Sequence, residues 1–183
     1  HVDIRIAHPE TGETLPRGET GEFCTRGYSV MTGYWDDPVK TTEAIDADGW
    51  MHTGDLAVMG LDGYVQIVGR IKDMVIRGGE NIYPREIEEF LYTHPEVEEV
   101  QVIGVPDRVY GEQLMAWIKR KPDLVSPQLV SQEALKAFCA GKIAHYKVSY
   151  YVQFVEAFPM TVTGKIRKVE MRALSIKALG LNP

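Results

Sequence analysis

The chain has 183 residues, 44% hydrophobic and 25% charged, with a net charge of −6. This is enough for one full domain or two small ones, in the composition of an ordinary soluble protein. No apolar run approaches the roughly 18 residues that a membrane helix needs, so a transmembrane segment is excluded. The charge is uneven: residues 1–70 carry 5 Lys+Arg against 12 Asp+Glu, a net −7, whereas from Lys136 onward 8 Lys+Arg face only Glu156 and Glu170, a net +6. A basic end on an acidic protein suits an anionic small ligand. Nucleic acid is not expected as a partner, because no basic stripe is interleaved with aromatics.

The chain opens on His1-Val2-Asp3-Ile4-Arg5, without Met and without the basic-then-apolar order of a signal peptide, and reads as a piece of a longer protein. Val2, Ile4 and Ile6 alternate with Asp3 and Arg5, which predicts a half-buried strand. Turns follow around Pro9–Glu13 and Pro16–Glu19, then a short strand between Gly21 and Gly27. Asp36-Asp37-Pro38 opens a short helix, and Leu61-Asp62-Gly63-Tyr64 is a hairpin turn between Leu56–Met59 and Tyr64–Val68. Cys24 and Cys139 lie far apart in apolar contexts, as reduced core thiols rather than a disulfide framework.

Past Gly69 the pattern changes. Arg70, Lys72 and Asp73 form a charged joint, Met74-Val75-Ile76 a short strand, and Gly78-Gly79 a loop that admits positive φ and close approach of another molecule. Pro84 suits a first helical position, and Ile87, Phe90, Leu91 and His94 share one face of a helix that stops before Pro95. Val100–Val105, Met115–Ile118 and Tyr151–Phe158 read as strands. Ser131 can cap a helix carrying Leu135, Phe138 and Cys139, and Arg167–Leu179 is a last helix stopped by Gly180. The fold class is therefore α+β, a β-rich piece followed by a small mixed α+β piece.

Three stretches can carry chemistry. In Trp50-Met51-His52-Thr53-Gly54-Asp55 the carboxylate after a glycine can accept from two vicinal hydroxyls, or simply cap its own turn. Arg70, fifteen residues on, can return across the hairpin to the same sheet end, as a partner of Asp55 or as a surface ion pair. Lys165, in Thr161-Val162-Thr163-Gly164-Lys165, can place an ammonium on a phosphate or carboxylate oxygen, or be an ordinary solvated lysine. It is not in a Walker loop, since Pro159 and Ile166 occupy positions that need Gly and Ser or Thr. The five histidines show no ligand spacing, so no metal site is expected.

In combination and order, these motifs resemble the adenylate-forming (AMP-binding) superfamily, which includes acyl- and aryl-CoA synthetases, peptide-synthetase adenylation domains and beetle luciferase. Thr53-Gly54-Asp55 resembles its Thr-Gly-Asp motif, Gly69-Arg70-Ile71-Lys72-Asp73 its hinge motif, and Gly164-Lys165 its catalytic-lysine motif. Arg77-Gly78-Gly79-Glu80-Asn81-Ile82-Tyr83-Pro84 is especially similar to medium- and long-chain fatty acyl-CoA synthetases. Ser149 stands where the family often has Pro, and Tyr150 where a basic residue is frequent.

The resemblance implies that residues 1–71 close a large N-terminal adenylating domain and that residues 72–183 form a mobile C-terminal domain, with the hinge at Lys72. Asp55 and Arg70 would hold nucleotide, Lys165 would be catalytic, and Gly78, Gly79 and Glu80 would line the tunnel for coenzyme A. The implied reaction activates a carboxylic acid, of fatty type, with ATP and passes the acyl group to CoA. Mg2+ would come bound to ATP and the upstream domain, and the compartment would be the cytoplasm or the mitochondrial matrix. Two alternatives remain at this point: a non-catalytic nucleotide- or partner-binding module, and an adenylation domain that loads a carrier protein.

Overall fold

The computed structural model describes residues 1–122 and 131–181, and the chain divides into two compact units, His1–Lys72 and Asp73–Pro183. The first is an antiparallel meander of β1 (Val2–Ala7), β2 (Thr20–Gly27), β3 (Met51–Met59) and β4 (Val65–Arg70), in that spatial order. Helix α1 (Pro38–Ala44) enters between β2 and β3; the Asp37 carboxylate caps it by accepting from the Lys40 N–H at 2.9 Å, and Pro38 needs no partner in the first turn. The expected alternation along β1 holds only at its far end. Ile6 is buried, but Val2 and Ile4 are 38% and 45% exposed, because β1 is an edge strand and β2 ends there in the exposed Arg26 and Gly27.

Two breaks in register shape this sheet. Between the pairs Glu22↔Leu56 and Cys24↔His52, the single residue Phe23 faces Thr53, Gly54 and Asp55. Between Leu56↔Gly69 and Ala57↔Ile67, Val68 is the extra residue on β4. Such bulges release ladder donors and turn side chains away from the regular pleat.

The second unit begins in the 3₁₀ turn Ile71–Asp73 and forms a five-stranded sheet. Its strands are β5 (Val75–Arg77), β6 (Glu80–Ile82), β7 (Val97–Asp107), β8 (Gly111–Arg120) and β9 (Tyr151–Phe154), ordered β6-β5-β8-β7, with β9 parallel to β8. The period of two along β8 separates two cores. Leu114, Ala116 and Ile118 pack with Ile87 and Leu91 of α2 (Pro84–Leu91) and Leu135 and Cys139 of α3 (Gln132–Cys139). Met115 and Trp117 pack with Met171 of α4 (Lys168–Leu179) and with Phe158. The α+β class read from the sequence is the one observed.

Local expectations fare unevenly. Ser131 caps α3 by accepting from the Ala134 N–H at 3.1 Å, and Gly180 ends α4 at φ +64. Strand β6 was not expected, and β9 stops at Phe154, earlier than expected. His94 lies beyond α2 in a tightened turn, since the residue before Pro95 is driven from helical geometry; its ring meets Phe138 edge-on at 4.7 Å. Among the described residues no helix is long and apolar enough to cross a membrane.

Candidate active site

Asp55 stands at the end of the β2–β3 bulge and directly opposite Arg70 in the β3–β4 ladder. Arg70 Nε donates to Asp55 Oδ1 at 3.0 Å, leaving Oδ2 and much of the guanidinium open, with side chains 34% and 57% exposed. Gly54, at φ +71, supplies the left-handed turn that precedes Asp55. The Asp55 N–H is held by Thr53 Oγ1 at 3.1 Å, and the Gly54 N–H by Glu22 Oε1 at 3.0 Å. A solvent-facing carboxylate beside a cation, on a backbone held at both peptide nitrogens, can accept two hydroxyl hydrogen bonds from one ligand.

The other expected residues lie at the unit boundary and in the second unit. Lys72 is exposed in the 3₁₀ turn at the unit boundary. Gly78 and Gly79 form the two-residue turn of the β5–β6 hairpin, closed by Arg77↔Glu80. Their φ values of +60 and +87 are those of a type I′ turn, so the backbone alone favours glycine here, with Asn the next most tolerant residue. The Gly78 N–H donates to Tyr110 O at 2.8 Å, and a β-carbon there would meet the Tyr110 ring at 3.2 Å. A β-carbon at Gly79 would meet no heavy atom within 4 Å beyond its chain neighbours among the described residues, and Glu80 is exposed. Beside this hairpin a cavity of about 560 Å³ is lined by Arg77, Tyr110, Lys136, His145, Ser149 and Tyr150, among others. Ser149 Oγ is buried there without a hydrogen-bond partner among the described residues, and Lys136 Nζ lies 5.2 Å from the centre of the exposed Tyr150 ring.

Lys165 sits in a tight loop closed by Thr161 N–H to Lys165 O at 2.8 Å and by Gly164 at φ +78. Its own N–H donates to Thr161 Oγ1 at 3.1 Å, while its exposed side chain makes no ion pair with the described residues. The loop is anchored three residues on, where Lys168 Nζ reaches Glu88 Oε1 at 2.7 Å and Val102 O at 3.2 Å. One turn later Arg172 Nη1 reaches Glu112 Oε1 at 2.6 Å, and Glu112 Oε2 accepts from the Ile76 N–H at 2.9 Å. Glu112 thus ties α4 to the strand leading into the glycine turn. The sequence assigned no role to Glu88, Glu112, Lys168 or Arg172, because each partner is remote along the chain.

The largest omission is a polar cluster behind Asp55. Glu22, Cys24 and His52 bring potential ligand atoms within 4.8 Å of one another, although no spacing in the sequence announces it. His52 Nδ1 meets Glu22 Oε2 at 2.7 Å, and Nε2 lies 3.5 Å from Asp46 Oδ2, which also contacts Arg5 at 3.4 Å. Burial, then the Glu22 charge, pushes the Cys24 thiol up to about 11, which makes it a poor thiolate ligand. Partial burial opposes the Asp46 carboxylate, yet the Trp50 N–H, His52 and the Asp48 N–H hold its carboxyl below the usual range. These contacts satisfy the cluster internally.

Comparison with known proteins places these sites in context. Residues 86–165 match the family described as AMP-binding enzyme C-terminal domain. The whole chain is 54% identical to YngI of Bacillus subtilis (strain 168), whose name places it provisionally among acyl-CoA synthetases, and covers 32% of that protein. It is 50% identical over 99% of its length to the mitochondrial medium-chain acyl-CoA ligase ACSF2 of Danio rerio, covering 29% of it. ATP-bound MatB from Rhodopseudomonas palustris superposes with a TM-score of 0.89 at 37% identity over 97% of this chain and 34% of that one. The chain therefore spans about a third of the length of the relatives it matches.

Proposed function

We propose that this chain, which belongs to the adenylate-forming (AMP-binding) superfamily, is the C-terminal part of an acyl-CoA synthetase acting on a fatty acid. The observation that carries the reading is the Asp55–Arg70 pair, presented by a bulged sheet end within a chain half identical to a medium-chain acyl-CoA ligase. Asp55 accepts hydrogen bonds from the ribose hydroxyls of ATP and of acyl-AMP, and Arg70 assists beside it.

In the first half-reaction a carboxylate oxygen attacks the α-phosphorus, the bond to the bridging oxygen breaks, and pyrophosphate leaves. Negative charge grows on the α-phosphate oxygens, and the exposed ammonium of Lys165 neutralises it. In the second, the CoA sulfur attacks the acyl carbonyl and AMP leaves. Rotation about Lys72 withdraws Lys165 and brings the Gly78-Gly79 turn, with Glu80, to the pantetheine arm. The space around Gly79 and the lysine-bearing cavity beside Arg77 support this placement. Mg2+ would be held by the phosphate oxygens of ATP and by the upstream domain, supplying charge neutralisation at the triphosphate, with no residue of this chain as its ligand.

Residues 1–71 act as the closing subdomain of the adenylating domain and residues 72–183 as the mobile domain. The compartment is the cytoplasm or the mitochondrial matrix; the ACSF2 relatives are named as mitochondrial. The acyl-CoA ligase relatives favour CoA over a carrier protein as acceptor, and favour an enzyme over a binding module. The test is acid-dependent pyrophosphate release and acyl-CoA formation by the longer protein that carries this chain, assayed across fatty acid lengths. Absence of both products with every acid would defeat the proposal.

A further inference from the structure

We propose that Glu22 is a positioning residue for nucleotide recognition: its carboxylate replaces the ladder partner that the β2–β3 bulge denies to the Gly54 N–H, and so aims Asp55. The inference rests on the reading of Asp55 as the ribose-binding carboxylate.

The argument starts from backbone donors. Where Phe23 faces three residues, Gly54 and Asp55 have no partner residue on β2, and Gly54 has none on β4 either, whose pairing begins at Asp55↔Arg70. Orphaned donors in a partly buried site need a replacement acceptor. Thr53 Oγ1 accepts from the Asp55 N–H at 3.1 Å while donating to Phe23 O at 2.7 Å, so it is itself fixed across the strands. Glu22 Oε1 accepts from the Gly54 N–H at 3.0 Å, and Glu22 is only 6% exposed. A carboxylate so buried needs hydrogen-bond partners, and Glu22 has one on each oxygen.

The second bond fixes the first. Glu22 Oε2 meets His52 Nδ1 at 2.7 Å, and His52 Nε2 lies 3.5 Å from Asp46 Oδ2. Asp46 is in turn held by the Asp48 and Trp50 N–H groups at 3.0 and 2.8 Å through Oδ1. The carboxylate therefore cannot swing away from Gly54 without breaking a chain of contacts that runs back to the turn before β3. Gly54, with φ +71, has the freest backbone of the motif, and Glu22 supplies the restraint that its missing side chain does not. Asp55 then leaves the bulge in one direction, with Arg70 set against it at 3.0 Å.

The experiment measures, in the longer protein, the preference for ATP over 2′,3′-dideoxy-ATP, as a ratio of kcat/KM values in the adenylation step. Glu22→Met keeps the side chain's length and removes its acceptors; the ratio is expected to fall about tenfold, the size a lost hydrogen bond to a charged group allows. Glu22→Gln retains an oxygen for the Gly54 N–H and is expected to restore most of the ratio. A general loss of folded protein lowers both kcat/KM values together and leaves the ratio unmoved. Should Glu22→Met not fold, Thr53→Val removes the other acceptor, with the same fall expected and Thr53→Ser as its rescue. An unchanged ratio in the folded acceptor-deletion variants, beside a reduced one in Asp55→Asn, overturns the positioning role alone. An unchanged ratio in Asp55→Asn overturns the ribose reading itself, and this inference with it.

Discussion

Arg70 lies opposite Asp55 in the β3–β4 ladder and donates to it through Nε at 3.0 Å, on a surface where both side chains remain substantially exposed. An exposed ion pair of this kind contributes on the order of 0–1 kcal/mol to folding. The proposed nucleotide role therefore rests on what the pair presents to a ligand rather than on what it stabilises.

Arg70→Ala is accordingly expected to cost less than about 1 kcal/mol of stability. In the longer protein it should weaken ATP binding about tenfold, as loss of a charge-assisted contact implies. Calorimetric titration with ATP and a thermal melt check both halves. Unaltered ATP affinity would return the pair to a surface salt bridge.

Lys165→Ala should depress adenylation by about 10²–10³-fold, the effect of deleting one aimed donor at developing charge. Thioester formation from supplied acyl-AMP should be nearly untouched. Its side chain bears no ion pair with the described residues, so stability should not change. Equal losses in the two half-reactions would make the residue structural.

Lys72→Pro and Gly79→Leu separate domain rotation from a static site. Proline at 72 fixes φ and removes an N–H, so whichever half-reaction needs the other orientation should fail. At Gly79 there is open space but a φ of +87, so leucine costs roughly 1–3 kcal/mol in backbone strain whatever the function. Gly79→Asn, which tolerates positive φ better, is the control. Leucine should impair thioester formation beyond asparagine at equal folded fraction; parallel losses in both half-reactions would reduce the turn to a backbone requirement.

Cys24 predicts an alkaline instability. Its thiol is raised by burial from 9.0 to about 11, so above pH 9 the unfolded chain loses a proton that the folded chain keeps. Stability from this group is complete below pH 9 and falls as pH climbs toward 11. Cys24→Ala should flatten that limb relative to the parent protein in melts from pH 8 to 11. Parallel curves for the two proteins would remove Cys24 from the account.

Much of this architecture is local and so could be read along the chain. Pro84 and the Ile87/Leu91 spacing specify α2, Ser131 its cap on α3, and Gly180 the stop of α4, because each acts on backbone groups within one turn. Thr53-Gly54-Asp55, Arg70, Lys72, Gly78-Gly79 and Lys165 are picked out by the resemblance of their motifs, in combination and order, to adenylate-forming enzymes, and the roles proposed for them rest on that resemblance. Tertiary structure decided what no local rule reaches. Strand pairing put Glu22 and His52 within 2.7 Å across 30 residues, and the bulge opposite Phe23 left Gly54 needing that carboxylate. Lys168 found Glu88 across 80 residues, and Arg172 found Glu112 across 60. A bulge shifts register by whole residues without marking either strand, and ion pairs between distant elements obey no spacing. Both exist only once the sheets have formed.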